Sequence, residues 1–406
     1  MNGTIARMAW RNLRRHPQRT ILMIATVGVG SLFIVGLFGL TDGAINSLTA
    51  TQIDWNQGDF QVRSVAYAAD PLPENALSPE QASAATNVLA NMDLEAIAPR
   101  MEASGMVRTA YGTDGVILRG IDPASEIAVT HLDELITEGD YLDSEGQILL
   151  SDSLAEDLDV RLGERVVIVA IGAAGAGSRA FTTVGLFQSP GSALDQVAMA
   201  SIDDVRSLTG FTGATTLAVA LPPGASASRS ITEARELLAT HQGVQVADYF
   251  DLNPFARLIT AAPMVRMLPY LLMISLMAGF GVANTTFYSV LERTREFGVM
   301  AAVGMSRKLL ARMVLVESTM VASIGFLLGG GLGYWFLFYL STTGWDLSMF
   351  SALGSSIGLP RVIYASTSGW YWLAAFSVVV FTALAASWYP ARRVNRLEPV
   401  TAIREG

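Results

Sequence analysis

The chain is 406 residues long, 51% of them hydrophobic and 16% charged, with no cysteine and a formal net charge of −9. Soluble domains carry roughly a quarter charged residues, so this composition points away from an ordinary soluble enzyme, and its apolar content excludes disorder. Disulfides and thiolate metal sites are excluded outright, and the negative balance argues against a nucleic-acid partner.

The charge is unevenly placed. Residues 42–263 hold 30 Asp/Glu against 11 Arg, a balance of −19, whereas the rest of the chain holds 16 Arg/Lys against 6 Asp/Glu, a balance of +10. Such asymmetry predicts a protein that faces two environments.

In chain order, residues 1–20 come first, with Arg7, Arg11, Arg14, Arg15 and Arg19 and no acid. Ile5, Met8, Ala9, Trp10 and Leu13 can share one helical face, which predicts a cytoplasmic helix lying in the membrane interface; a solvated basic arm is the alternative. Residues 21–40 then run without a charge, enough to cross ~30 Å of hydrocarbon, so a first span is placed at 21–45. Its apolar core exceeds the roughly 7–15 residues of a signal peptide, so an uncleaved anchor is expected.

Residues 46–263 read as an extracytoplasmic domain. A strand at 59–65, a helix opening at Ser78-Pro79-Glu80, two strands within 107–121, a strand at 215–221, a helix at 228–240 and a strand at 244–247 predict a ferredoxin-like α/β unit. A β-rich insertion is expected at about 141–211, with strands at 147–150, 165–171 and 180–187 and helices at 151–158 and 202–208. A glycine-rich turn is placed at 172–177.

A second span follows at 264–291, a cytoplasmic helix at 292–308 and a third span at 309–341 with Glu317 as its only acid. An outer loop at 342–369, a fourth span at 370–389 closed by Pro390 and a tail at 390–406 complete the chain. Trp335, Tyr339, Trp370, Tyr371, Trp372, Trp388 and Tyr389 stand at span borders, where amphipathic rings sit. The arginines before span one, Arg293, Arg295, Arg307, Lys308 and Arg312, and Arg392, Arg393, Arg396 and Arg404 in the tail fall on one side if both termini are cytoplasmic. The expected fold class is therefore a membrane protein with four transmembrane α-helices and a large α/β extracytoplasmic domain.

Catalytic patterns fail. The single lysine, Lys308, lies outside any Walker A context, so no P-loop is present. Gly354-Ser-Ser-Ile-Gly358 matches G-x-S-x-G by letters only, in an outer loop without the required strand–turn–helix. His16, His131 and His241 are far apart, so neither a catalytic nor a metal site is expected. Within span three, Gly325, Gly329 and Gly333 recur every fourth residue and predict close helix packing. Glu317 should face protein, water or a donor; whether it is structural or functional stays open. The segment Glu292–Gly304 reads as a short helix with Glu292, Arg293, Arg295 and Glu296 in its first turns. Phe297, Met300 and Ala301 make an apolar strip suited to a partner's groove, and a simple linker is the bland alternative.

The run Glu292-Arg-Thr-Arg-Glu-Phe-Gly-Val-Met, then Val303-Gly-Met-Ser-Arg, then Val316-Glu317-Ser318 closely resembles the signature of the FtsX-like permeases of ABC transporters. The tail Tyr389-Pro-Ala-Arg-Arg-Val-Asn-Arg-Leu-Glu-Pro-Val is similar to its second signature. Ile148-Leu-Leu-Ser with Leu158-Asp-Val-Arg-Leu-Gly-Glu resembles its periplasmic domain, of the macrolide-exporter and lipoprotein-releasing (type VII) kind.

The resemblance implies a subunit of the bacterial inner membrane that works as a dimer, with a second copy or a paralogue, on a pair of separate ATPase subunits. ATP and Mg would be bound by those partners, with no cofactor in this chain. Glu292, Arg293, Arg295, Glu296, Phe297, Gly298 and Gly304 would form the coupling helix. Motion would pass along stalks at about 41–57 and 247–266 to the outer domain and move a lipoprotein, lipid or amphiphile, with a periplasmic carrier or adaptor as a further partner. Regulation of an extracytoplasmic enzyme, as in cell division, and antimicrobial-peptide export or sensing are the other functions the resemblance allows. The turn at 172–177 is shorter than a loop built to grip a lipoprotein carrier.

Overall fold

A computed structural model describes residues 2–15, 17–189, 194–261, 263–346 and 362–394. His16, Arg361, the 354–358 motif and the tail beyond Val394 lie outside them. The chain divides into a membrane unit (1–45, 262–346 and 362–406) and a second unit (46–261 with 347–361).

Helix α1 (Asn2–Arg15) ends before Pro17, which opens α2 (Pro17–Gln52), a helix of 36 residues. Proline is well placed there, since the first helical N–H has no partner to lose. A π-helical turn (Ile53–Gln57) ends the run, and Gly58 at φ +74° releases the chain into a strand.

The second unit begins with β1 (Phe60–Ser64), α3 (Val65–Ala69), α4 (Pro79–Leu89), β2 (Ala96–Arg108), β3 (Thr113–Ile121), α5 (Pro123–Thr130), β4 (Ile136–Gly139) and β5 (Gln147–Ser151). It continues through α6 (Asp152–Asp157), β6 (Arg165–Gly172), β7 (Gly175–Phe187), β8 (Val197–Ser201), α7 (Ile202–Thr209), β9 (Thr216–Ala220), α8 (Ala227–Leu238), β10 (Val244–Asp248), α9 (Tyr249–Leu252) and α10 (Pro254–Ala261). The start of α4 is built as its sequence dictates. Ser78 accepts from the Gln81 amide and Gln81 reaches back to the Ser78 amide, a reciprocal capping box.

Two sheets share one strand. The first has the order β10-β1-β9-β2, with every neighbour antiparallel. Helices α4 and α8 pack on it over a core of Phe60, Val62, Leu77, Leu89, Leu217 and Leu238. The second runs β2-β3-β8-β5-β7-β6 and returns to β2, a closed ring of six strands. Its interior holds Met101, Val107, Leu118, Ile148, Leu150, Val166, Ile168 and Phe181, with Leu154 of α6 and Val205 of α7. Each such buried side chain stabilises by about 1.5–3 kcal/mol relative to exposure. Strand β4 pairs with β7 beside the ring and forms an edge of the sheet.

The inserted segment is thus longer than residues 141–211. Everything from β3 to α7 lies between β2 and β9, and the first of the two strands expected within 107–121 begins at Ala96. The glycine-rich turn is a two-residue hairpin, with Gly172 facing Gly175 across Ala173-Ala174.

The membrane unit resumes with α11 (Pro263–Glu292), α12 (Thr294–Ala302), α13 (Arg307–Thr343), the short pair β11 (Trp345–Asp346) and β12 (Val362–Ile363), and α14 (Gly369–Val394). Segments of α2 (running on to Gln57), α11, α13 and α14 are long and apolar enough to cross a membrane. Helix α14 continues through Pro390 to Val394. Phe326 of α13 packs edge-on against Trp372 and Phe376 of α14, at ring separations of 5.0 and 5.3 Å.

Candidate transmission sites

Three places stand out for close packing or buried charge. The first is the short helix α12. The residues expected to dock a partner divide into two sets. Phe297 and Gly298 are buried, and Phe297 sits in a cluster with Ile5, Val290, Leu310, Met313 and Val314, against which Met300 and Ala301 also pack. The apolar strip read from sequence therefore turns toward its own chain, with Phe297 buried and Met300 and Ala301 partly so. Arg295, Glu296 and Val299 face outward, and Val303 is 85% exposed. Glu292 is the last residue of α11 and Arg293 the junction, so neither stands in a turn of α12. Gly304 has φ +102°, a conformation that only glycine adopts without strain.

Arg293 is 5% exposed. Its Nε donates to Glu296 at 3.1 Å, its Nη1 to Glu317 at 3.2 Å, and its guanidinium lies 5.1 Å from the Phe297 ring centre. The lone acid of α13 therefore has its donor, and α12 is held by charge as well as by packing. Arg19 bridges to the end of α11, donating to the Thr285 carbonyl at 2.7 Å and standing 3.7 Å from Glu292.

The second place is the contact of α2 with α13. A Cβ on Gly329 would overlap the Gly28 carbonyl. One on Gly325 would lie 2.9 Å from Val27 Cβ, and one on Gly333 3.1 Å from the Leu32 carbonyl oxygen. Backbone therefore meets backbone along this stripe, and dispersion gains what a side chain would otherwise hold apart.

The third place is the end of α2, which sequence reasoning missed. Arg100 and Glu126 are each 1% exposed and form a two-toothed pair, Nη2–Oε1 at 2.6 Å and Nε–Oε2 at 3.0 Å. The remaining Arg100 nitrogen, Nη1, donates at 2.5 Å to the Asn56 carbonyl in the π-turn. Arg119 donates to the Asn56 side chain at 2.9 Å and to Glu102 at 2.7 Å. Arg100 and Glu102 lie on β2, where that strand passes from the open sheet into the closed ring. The helix end is therefore fixed to the one strand that both parts share. A π-turn leaves carbonyls without their usual partners, and Asn56 O is bonded by a buried cation instead.

The other connection is wetter. Arg235 of α8 meets Asp251 at 2.5 Å and Asp248 at 3.6 Å, and Arg257 of α10 also pairs with Asp251. Partial burial opposes ionisation of Asp251, but the Asp248 amide and the two arginines outweigh it and hold its carboxyl below the usual range. A carboxylate with a lowered folded-state pKa stabilises above its unfolded value, near 4, and loses that contribution as pH falls through the lowered one. Asp251→Asn should therefore flatten the acid limb, below about pH 4, of the full chain's melting temperature plotted against pH.

Among the described residues no group of three or more His, Asp or Glu side chains is placed to hold a metal ion.

Residues 20–237 match the MacB-like periplasmic core domain, and residues 270–399 the FtsX-like permease C-terminal family. A macrolide export ATP-binding/permease protein of Aeromonas hydrophila is 24% identical over 98% of this chain and 60% of its own length. A probable export ATP-binding/permease protein of Pseudomonas entomophila is 31% identical over 46% of this chain and 26% of its own. The chain thus spans less than two thirds of the length of these curated relatives. The periplasmic region of MacB from Actinobacillus actinomycetemcomitans is 12% identical, covering 49% of this chain and 92% of that one, with a TM-score of 0.35. Two family matches that together cover both units assign the chain to the FtsX-like permeases of type VII ABC transporters, with a MacB-like periplasmic domain.

Proposed function

We propose that the chain is the motion-transmitting permease of an exporter in a bacterial inner membrane, with both termini cytoplasmic and the −19 domain outside. A separate pair of ATPase subunits binds ATP and Mg and seats on the outward face of α12, at Arg295, Glu296, Val299 and Val303. Two permease copies, or this chain with a paralogue, share that pair. The cargo is an apolar or amphiphilic molecule, a macrolide, lipid or lipoprotein, passed on with the help of a periplasmic carrier or adaptor.

One observation carries this reading. Helix α2 leads into the π-turn Ile53–Gln57, and there buried Arg100 bonds the Asn56 carbonyl from the strand shared by both sheets. A turn held by a buried charge passes a load to the strand that holds it, whereas a flexible linker would absorb it. The Glu317–Arg293 pair gives the inner end a comparable fixing point for α12.

The test uses the complex co-expressed with its ATPase. Val303→Asp places a charge at the most exposed apolar position of α12, and Arg295→Glu reverses one beside it. Each should reduce coupled ATP hydrolysis by at least about tenfold, since an interfacial residue that loses about 1.4 kcal/mol costs that factor. The folded permease should be recovered in normal amount. Unchanged hydrolysis and unchanged co-purification in both variants would sink the role given to this helix.

A further inference from the structure

We propose that α1 and α13 together form a binding site for one anionic glycerophospholipid of the cytoplasmic leaflet. Helix α1 turns Ile5, Ala9 and Leu13 inward, where they are at most 8% exposed and pack with residues of α13. Its next apolar residue, Trp10, is 48% exposed and roofs a groove of about 380 Å³. Val316, Thr319, Met320, Ser323 and Ile324 of α13 form the floor. That volume falls within the range of small-molecule pockets, roughly 300–1,000 Å³, and its lining suits an acyl chain.

The charge beside the groove selects the headgroup. Arg7 and Arg14 stand three residues before and four after Trp10, so all three share one side of α1. Both arginines are exposed, and no acid occurs in residues 1–20 to neutralise them. Arg11 and Arg15 extend the basic face, and Asn12, on the inward side, donates to the Met313 sulfur at 3.8 Å. A lipid phosphate with a second negative group would meet the arginines' planar forks while its chain enters the groove. Choline or ethanolamine would place a cation against that face. The occupant is thus an anionic phospholipid such as phosphatidylglycerol, and the site goes beyond a helix merely resting in the interface. Since Ile5 of α1 shares a buried apolar cluster with Phe297 of α12, the bound lipid would brace the helix proposed to meet the ATPase.

The experiment uses the full chain, alone and in complex with its ATPase, in phosphatidylcholine nanodiscs. A small, equal fraction of either phosphatidylglycerol or phosphatidylcholine carries a brominated acyl chain. Emission of the wild type minus that of Trp10→Phe isolates Trp10 among the seven tryptophans. Two surface arginines near a membrane enrich an anionic lipid on the order of tenfold, so brominated phosphatidylglycerol should quench Trp10 at about a tenth of the concentration needed for brominated phosphatidylcholine. Arg7→Gln with Arg14→Gln should abolish that preference and leave quenching by brominated phosphatidylcholine intact. Equal quenching by both lipids in the wild type would overturn the proposal. So would a Trp10 shielded from both lipids in the complex, since protein then fills the groove.

Discussion

Glu126→Ala is expected to cost about 3–5 kcal/mol of stability, because it leaves the Arg100 guanidinium buried without its counter-ion. At roughly 2–4 °C per kcal/mol for a unit of this size, the melting temperature should fall on the order of 10 °C. Differential scanning fluorimetry of the purified chain in detergent reads this directly. Arg100→Met combined with Glu126→Leu should recover most of the loss, since an apolar pair of similar volume replaces a buried ion pair at little net cost. The double variant also separates stability from transmission. It folds without the hydrogen bond from Arg100 to the Asn56 carbonyl, so ATP hydrolysis by the complex should persist while export falls. Export at the wild-type rate in that variant would show that the joint is a structural element and no more.

The second large effect lies inside the membrane, at two glycines two residues apart. Gly329→Ala puts a methyl group into the Gly28 carbonyl, and neither backbone can yield without moving its helix. The expected loss is about 3 kcal/mol, at the upper end for overpacking, and Gly329→Leu should abolish recovery of a monodisperse protein. Gly331 is the control. A Cβ there meets nothing within 4 Å, so Gly331→Ala gains about 0.8–1 kcal/mol of helix propensity and should raise the melting temperature. The opposite signs come from position on the helix face alone. Equal responses at 329 and 331 would mean that α2 and α13 do not meet along this stripe.

How much of this was legible in the chain depends on the distance between cause and effect. Uncharged runs of about 20 residues marked the four spans because the bilayer imposes a length that nothing else in a sequence mimics. The helix at Ser78-Pro79 was legible because its cap lies within four residues. The stripe at 325, 329 and 333 was visible as a spacing, though its partner Gly28 was not. Strand β2 was hidden in its first half, where Pro99, Arg100 and Glu102 interrupt the alternation that marks a half-buried strand. Arg100 and Glu102 also build the joint at the end of α2, so the pattern failed where the site begins. Arg100 and Glu126 are 26 residues apart, and Arg293 and Glu317 are 24 apart. No local window pairs them, and an arginine buried to 1% looks in sequence like any exposed one. The strip Phe297, Met300 and Ala301 shows the converse limit. Periodicity found the apolar face of α12 but could not tell which body it was turned toward.

Helix α2 has one further consequence, which follows from its length. Its 36 residues measure about 54 Å at 1.5 Å per residue, against ~30 Å for the hydrocarbon it crosses. It is a lever arm nearly twice as long as its support. Pivoting it by about 5° at the inner end carries the outer end sideways by roughly 5 Å over that length. A small tilt is thus enlarged along the helix, a geometric property of its length alone.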